Sequence, residues 1–394
     1  MSDFPVLMPV YNRINLYFDR GEGAYLFDDK GDRYLDFVAG VAVVGLGHCH
    51  PHITKALQKQ AKTLWTVSNL FHTHSGEKLA QRLVDLTFAD TVFFQNSGVE
   101  AWECGVKTIR KYFSAIGQPQ RYRIISFQGC FHGRTMTAIA ASKTEKMVGG
   151  FGPLIEGFDQ VVWGDIDAVR AAVTDATAAI VIEPIIGEGG MKEAKPEFLR
   201  QLRALCDEKG MLLYFDEIQC GMGRTGKLFA HEWAGVAPDV MCIAKALGNG
   251  FPIGACLATA HAAQGMTKGT HGSTYGGNPL ATSVGNAVLD VMTASGFLDE
   301  VARKGDYLRG RLEKIVADHP RIFSGLRGRG LMPGLICVPP NSEVVTAFRE
   351  EKLLTVEAGE NVVRLLPPLI VSNAQIDDSI ESIDRAAKNL EKAD

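Results

Sequence analysis

Lys245 stands in the run Met241-Cys242-Ile243-Ala244-Lys245-Ala246-Leu247-Gly248-Asn249-Gly250, 29 residues after Asp216. Asp216 closes the apolar run Leu212-Leu213-Tyr214-Phe215. A lysine amine among small residues can form a Schiff base with an aldehyde. A carboxylate can keep a pyridine nitrogen protonated, so that the ring accepts electrons. Pyridoxal phosphate uses both groups. Taken alone, a lysine after a buried strand is as readily a surface residue, since lysines are mostly exposed. The neighbouring motifs decide between the two.

Asn96-Ser97-Gly98-Val99-Glu100 follows the strand-like Thr91–Gln95 and opens a helix. Free N–H groups at a helix start, with the Ser97 hydroxyl, can hold a phosphate. Taken alone, the same residues read more readily as an ordinary N-cap, with Glu100 three residues after Ser97 as in a capping box. In Phe127-Gln128-Gly129-Cys130-Phe131-His132-Gly133-Arg134-Thr135, Phe131 can stack on a flat ring. Arg134 can hold a carboxylate bidentately. Gln219, on the loop after Asp216, can reach a ring hydroxyl, and the acids at that strand end lie where open α/β sheets bind ligands.

Two other patterns weigh less. Gly221-Met222-Gly223-Arg224-Thr225-Gly226-Lys227 matches a dinucleotide-type glycine run and nearly a P-loop. Leu228 cannot ligate magnesium, and Asp216-Glu217-Ile218-Gln219 separates the glycines from their strand. A nucleotide-dependent dehydrogenase therefore stays a remote alternative. His48-Cys49-His50-Pro51-His52 is rich in metal-ligand types but has no second cluster at ligand spacing, so it reads as a helix entry and no metal is expected.

With 394 residues the chain can form about two domains around a large core. Hydrophobic residues make up 46% and charged residues 22%, as in a soluble globular protein. A net charge of −4 offers no case for nucleic-acid binding. The eight cysteines are scattered without a C-x-x-C pair, which suits reduced thiols in the cytoplasm. The N-terminus lacks the basic start and apolar core of a signal peptide, and no apolar stretch is long enough to span a membrane.

Ala24–Asp28 and Arg33–Phe37 flank a hairpin signal, and Pro51–Leu64 has helical spacing. Apolar runs recur at Thr91–Phe94, Arg123–Phe127, Ala178–Ile182, Met211–Phe215, Val240–Ile243 and Gly254–Thr259. Helical stretches at Glu100–Phe113, Asp165–Val173 and Pro196–Lys209 lie between several of them. The alternation predicts an α/β fold with a mostly parallel sheet covered by helices. Helices over Ala281–Thr293 and Phe297–Asp318, strands near Gly330–Val338 and Val362–Leu366, and a helix near Ile376–Lys392 complete the chain. The expected division is a large cofactor-binding α/β domain over 51–278 and a smaller α+β domain formed by 1–50 and 279–394.

Six runs, in order, resemble the class III (ω-amino) aminotransferases of the fold-type I pyridoxal-phosphate group. They are Asn96–Ala101, Phe131–Thr135, Glu183–Gly190, Asp216–Gln219, Ala244–Gly248 and Gly272–Pro279. The resemblance covers nearly the whole chain. It implies that Lys245 carries the cofactor and shuttles the proton, that Asp216 pairs with the ring nitrogen, and that Gln219 approaches the ring oxygen. Ser97 and Gly98 would bind the phosphate, with Thr274 contributed by the second subunit of a homodimer with shared active sites; Phe131 would stack on the ring. Arg134 and Ser273 would contact the amine donor. Arg364 would take the α-carboxylate of glutamate or 2-oxoglutarate and pair with Glu188 when the donor is bound.

Within the family, the run Thr270–Tyr275 and the short N-terminus point to N-acetylornithine as donor and 2-oxoglutarate as acceptor, a step of arginine biosynthesis. Succinyl-diaminopimelate, succinylornithine, ornithine and 4-aminobutyrate are the alternatives. The chain departs from the family at Trp102 and Cys104-Gly105, and at His72 where a tyrosine is common.

Overall fold

The computed structural model describes residues 5–393; Met1–Phe4, part of the N-terminal reading above, lies outside them. Seven strands form the central sheet: β1 (Thr91–Gln95), β2 (Arg123–Phe127), β3 (Phe158–Val161), β4 (Thr177–Ile182), β5 (Leu212–Asp216), β6 (Val240–Ile243) and β7 (Gly254–Ala258). Their spatial order is β1-β7-β6-β5-β4-β2-β3. From β6 through β3 all pairs are parallel, whereas β7 runs antiparallel to both β6 and β1.

The near-continuous apolar strands follow from burial on both faces. On β5, Leu212 and Tyr214 belong to one core cluster, and Leu213 and Phe215 to another. The same alternation splits Val240 and Cys242 from Met241 and Ile243 on β6. Helix α1 (Gly98–Ala115) covers the first face with Ala101, Trp102, Val106, Ile109 and Phe113. Helix α2 (Pro196–Lys209) covers the second with Phe198, Leu199, Leu202 and Leu205. Pro196 opens α2, where its missing N–H costs nothing, and Gly210 ends it at φ 59°.

Ile185–Ile186 pairs with Lys192–Glu193 in a two-stranded sheet, and two four-stranded sheets lie beside the central one. In one of these, Phe18–Glu22 and the hairpin strands Tyr25–Asp28 and Arg33–Asp36 join Leu353–Leu354 from the far end of the chain. In the other, Phe323–Arg329, Met332–Cys337, Val362–Arg364 and Val356–Ala358 pair antiparallel. Between them, Ala39–Ala42 turns left-handed, with φ between 48° and 65°. Asp36 anchors that turn, its Oδ1 accepting the N–H groups of Val38 and Ala39.

The expected central-sheet strands fall within a residue of those observed. Strand β3 went unseen because Phe158-Asp159-Gln160-Val161 is short and half polar. The helix His74–Asp85 and the strand Phe323–Arg329 were missed too; two glycines interrupt the latter. Among the described residues no helix is long and apolar enough to cross a membrane. The eight cysteines are unpaired, and all but Cys49 are buried.

Gly105 lets α1 approach β5. A Cβ there would overlap the Tyr214 ring and hydroxyl. Gly105→Ala should therefore destabilise the fold by about 1–3 kcal/mol, the usual cost of overpacking. Denaturant unfolding checks this, and an unchanged midpoint would contradict the packing described.

Candidate active site

The β5–β6 register places Asp216 opposite Cys242. Two residues beyond Cys242 the chain leaves the sheet, and Lys245 follows at φ 47°. That left-handed conformation costs a non-glycine residue roughly 1–3 kcal/mol, and such strain gathers at functional sites. Amine and carboxylate thus issue from the same end of adjacent parallel strands. Both line a cavity of about 420 Å³, together with Ser97, Gly98, Phe131, Arg134 and Gln219. Its size is that of a small-ligand site.

Asp216 is buried. Its Oδ1 accepts the Ile218 N–H at 3.0 Å, and its Oδ2 accepts His132 Nδ1–H at 2.7 Å. Burial alone would push the His132 imidazole down, but the Cys130 sulfur and the Asp216 carboxylate outweigh it and carry the ring well above its ordinary value. Sequence reasoning passed over His132, although it lies between Phe131 and Arg134 in a motif already singled out. It also passed over Glu183, whose Oε2 accepts the Phe131 N–H at 3.0 Å. Burial pushes the Glu183 carboxyl up to about 8. Burial likewise lowers the Lys245 ammonium, with Arg364 adding to the fall and Glu188 opposing it, so more of the amine is neutral.

At the start of α1 the turn is capped by its own side chain. Ser97 Oγ accepts the Glu100 N–H at 3.4 Å and so caps the helix, while Glu100 Oε2 accepts the N–H of Asn96, one residue before the N-cap, at 2.9 Å. The turn nonetheless faces the cavity. A Cβ on Gly98 would press on Ile218 at 3.0 Å, so the glycine lets the helix start close over the strand end.

Arg364 is buried behind the cavity. Its Nε and Nη2 donate to the Glu357 carbonyl at 3.2 and 2.8 Å. Nη1 alone turns to side chains, donating to Glu188 Oε1 at 2.8 Å and Gln219 Oε1 at 3.2 Å. Gln219 fits because Gly187 has no Cβ; one would overlap its amide. Arg134 is exposed, with its guanidinium 5.7 Å from the Phe131 ring centroid. It also borders a second pocket, lined by Glu188, Met147 and Gly359.

Ser273 and Thr274 do not join the Lys245 cavity of their own chain. They line a neighbouring pocket that shares Asn96 with it. The glycine-rich Gly221–Lys227 proves structural: Arg224 is buried and donates to the carbonyls of Leu331 and Pro367. His48 and His52 bond Asp36 and Asp290, and among the described residues no group of three ligands could hold a metal ion.

The donor set fits pyridoxal phosphate. A cavity flanked by a glycine-tightened helix start, a buried carboxylate and a poorly solvated amine offers one partner each for phosphate, ring nitrogen and aldehyde.

The family model "Aminotransferase class-III" matches residues 8–387. The chain is 55% identical to the acetylornithine aminotransferase of Mesorhizobium japonicum, covering 98% of this chain and 97% of that one. It is 57% identical to acetylornithine aminotransferase 1 of Bradyrhizobium diazoefficiens, at 98% and 95% coverage. Among solved structures it is similar to the N-acetylornithine aminotransferase of Stenotrophomonas maltophilia, with TM-score 0.86, 36% identity and 98% coverage of each chain. It is also similar to the ornithine aminotransferase of Toxoplasma gondii, with TM-score 0.95, 32% identity, and 99% and 94% coverage.

The Glu183 carboxyl supplies a pH test. Its raised value means that the folded chain holds the proton more tightly than the unfolded chain. The stabilisation is complete below the ordinary value of 4.5 and is lost as the pH rises through about 8. Relative to wild type, cofactor-free Glu183→Gln should therefore gain stability steadily from about pH 5 to 8. Denaturant unfolding across that range checks it, and a constant difference would contradict a raised carboxyl.

Proposed function

This chain belongs to the class-III aminotransferases, and we propose that it transfers the terminal amine of N2-acetyl-L-ornithine to 2-oxoglutarate. The products are N-acetyl-L-glutamate 5-semialdehyde and L-glutamate, which places the reaction in arginine biosynthesis. The observation that carries the reading is the shared cavity of Lys245 and Asp216, backed by an arginine whose Nη1 is paired with a half-exposed carboxylate. The full-length likeness to acetylornithine aminotransferases supports the choice of donor.

Pyridoxal phosphate supplies, when bound, an aldehyde for the amine and a ring that accepts the electrons of a broken C–H bond. The chain's residues do the rest. Ser97, Gly98 and the start of α1 would hold the cofactor's phosphate, and Phe131 would pack on its ring. Asp216 would keep the ring nitrogen protonated, and Gln219 would reach the ring oxygen. Lys245 Nζ, its charge disfavoured by burial, would be the amine that holds the aldehyde, and in its neutral form the base that moves the proton of the donor carbon.

Two unlike substrates must share the cavity. N-acetylornithine reacts at its far amine, so its carboxylate belongs at a distance, and exposed Arg134 is the proposed holder, with Ser273 beside it. 2-Oxoglutarate reacts next to its α-carboxylate and needs a cation close in. Arg364 is that cation. Its other nitrogens are tied to the Glu357 carbonyl, so Nη1 exchanges partners without moving the guanidinium. Glu188 neutralises it while the donor is bound and swings aside for the acceptor.

The chain is further proposed to act as a cytoplasmic homodimer, with Thr274 and Ser273 completing the partner's site. Leu70, Phe71 and Tyr275 are exposed, an apolar surface suited to a partner. The free cysteines suit a reducing compartment.

Separate single-turnover measurements of the two half-reactions test the division of labour. Arg364→Ala should slow the 2-oxoglutarate half by about ten- to a thousandfold and largely spare the N-acetylornithine half. Arg134→Ala should damage both halves, because the distal carboxylate of 2-oxoglutarate would occupy the same place. Equal damage to both halves by Arg364→Ala would overturn the scheme, and a wild-type protein unresponsive to N-acetylornithine would overturn the donor.

A further inference from the structure

Trp102 is fully buried on α1, one turn past the proposed phosphate site. Its indole stacks on the His132 imidazole, with ring centroids 5.3 Å apart and planes 13° from parallel. Phe158 backs the indole at 5.9 Å and 28°. The Trp102 carbonyl accepts the Tyr214 hydroxyl at 3.1 Å, and Tyr214 lies two residues before Asp216 on the same strand. Gly105, one turn further along α1, leaves room for the Tyr214 ring. The indole is thus tied at its backbone to the strand that carries Asp216, and at its face to the histidine that bonds Asp216.

Hydrogen bonding does not explain an indole here. Trp102 Nε1 is buried without a partner among the described residues, an arrangement that costs stability. A phenylalanine would fill apolar space without that cost. What the indole adds is a broad electron-rich face over the imidazole, which favours a cationic ring and fixes its plane. His132 Nε2 also lacks a partner among the described residues, so the ring's orientation rests on Asp216 and on the stack.

We propose that Trp102 is a positioning residue for the transamination: its indole sets the plane of His132, and His132 sets the carboxylate that meets the cofactor nitrogen. The inference rests on the assignment of Asp216 to that nitrogen. Trp102 touches neither substrate nor cofactor in this scheme and acts through His132 alone.

The test uses the holoenzyme with Trp102→Leu and Trp102→Phe. Losing the stack should slow the N-acetylornithine half-reaction by about three- to tenfold in Trp102→Leu, the worth of one aromatic stack. The substrate concentration for half-maximal rate should stay within about twofold, because no substrate contact is removed. Trp102→Phe, which keeps a flat ring, should restore most of the rate. A second readout needs no turnover: the low-field Nδ1 proton of His132 in the NMR spectrum of the cofactor-free protein. It should persist in Trp102→Phe and broaden or vanish in Trp102→Leu. A wild-type rate with an unchanged resonance in Trp102→Leu would overturn the proposal. So would a slowed Trp102→Leu that keeps the resonance, since that marks a general packing defect. If Trp102→Leu does not fold, a folded Trp102→Phe lacking the resonance overturns it equally. Asp216→Ala separates the two claims. A normal half-reaction there removes the Asp216 assignment itself, whereas a slow Asp216→Ala beside a normal Trp102→Leu removes only the role of Trp102.

Discussion

A carboxylate held away from water is unfavourable unless other groups answer its charge, and Asp216 is answered from two sides. The Ile218 N–H takes one oxygen and the His132 ring takes the other. Much of the molecule is arranged around that contact. The parallel register of β5 on β6 brings Lys245 out beside Asp216. The capped start of α1 closes over the same strand end because Gly98 has no side chain. Trp102 and Tyr214 then fix the histidine and the strand to each other. Acid, amine and capped helix start arrive at one place through backbone pairing and packing.

The second requirement is a cation that serves one substrate and stays out of the way of the other. Arg364, the residue proposed for it, is bonded unequally: Nε and Nη2 donate to a main-chain carbonyl, and Nη1 donates to the side chains of Glu188 and Gln219. Glu188 is half-exposed, as the proposed exchange of partners requires. Gly187, the residue before it, admits Gln219 to the same nitrogen. The fixed side of the guanidinium rests on the Glu357 carbonyl, and the other side on Glu188 and Gln219 from two different loops.

Much of this was legible in the sequence. The strands of the central sheet are buried on both faces and so read as unbroken apolar runs, and the acid and lysine that end two of them stand out by contrast. The chemistry-bearing runs lie at loops that follow those strands, where residue type is least masked by packing. What escaped was whatever depends on a partner distant in sequence. His132 carries no local sign that it meets Asp216, 84 residues away. The left-handed backbone at Lys245 and at Ala39–Ala42 has no marker, because most of those residues are not glycine. Strand β3, at the sheet edge, is half polar and too short for periodicity to show. The glycine run at Gly221 looked like a nucleotide turn because its spacing is local, while its use, a buried Arg224 bridging distant carbonyls, is not. Ser273 and Thr274 lie in a pocket beside the Lys245 cavity, and their proposed partner is a second copy of the chain.

The central claim is that Lys245 and no other lysine carries the cofactor, opposite Asp216. Borohydride reduction of the pyridoxal-phosphate-loaded protein, followed by peptide mapping, tests it most directly. The account predicts one pyridoxyl-bearing peptide, with the added mass on Lys245. A label on a different lysine, or a loaded protein that takes up no label, would contradict it.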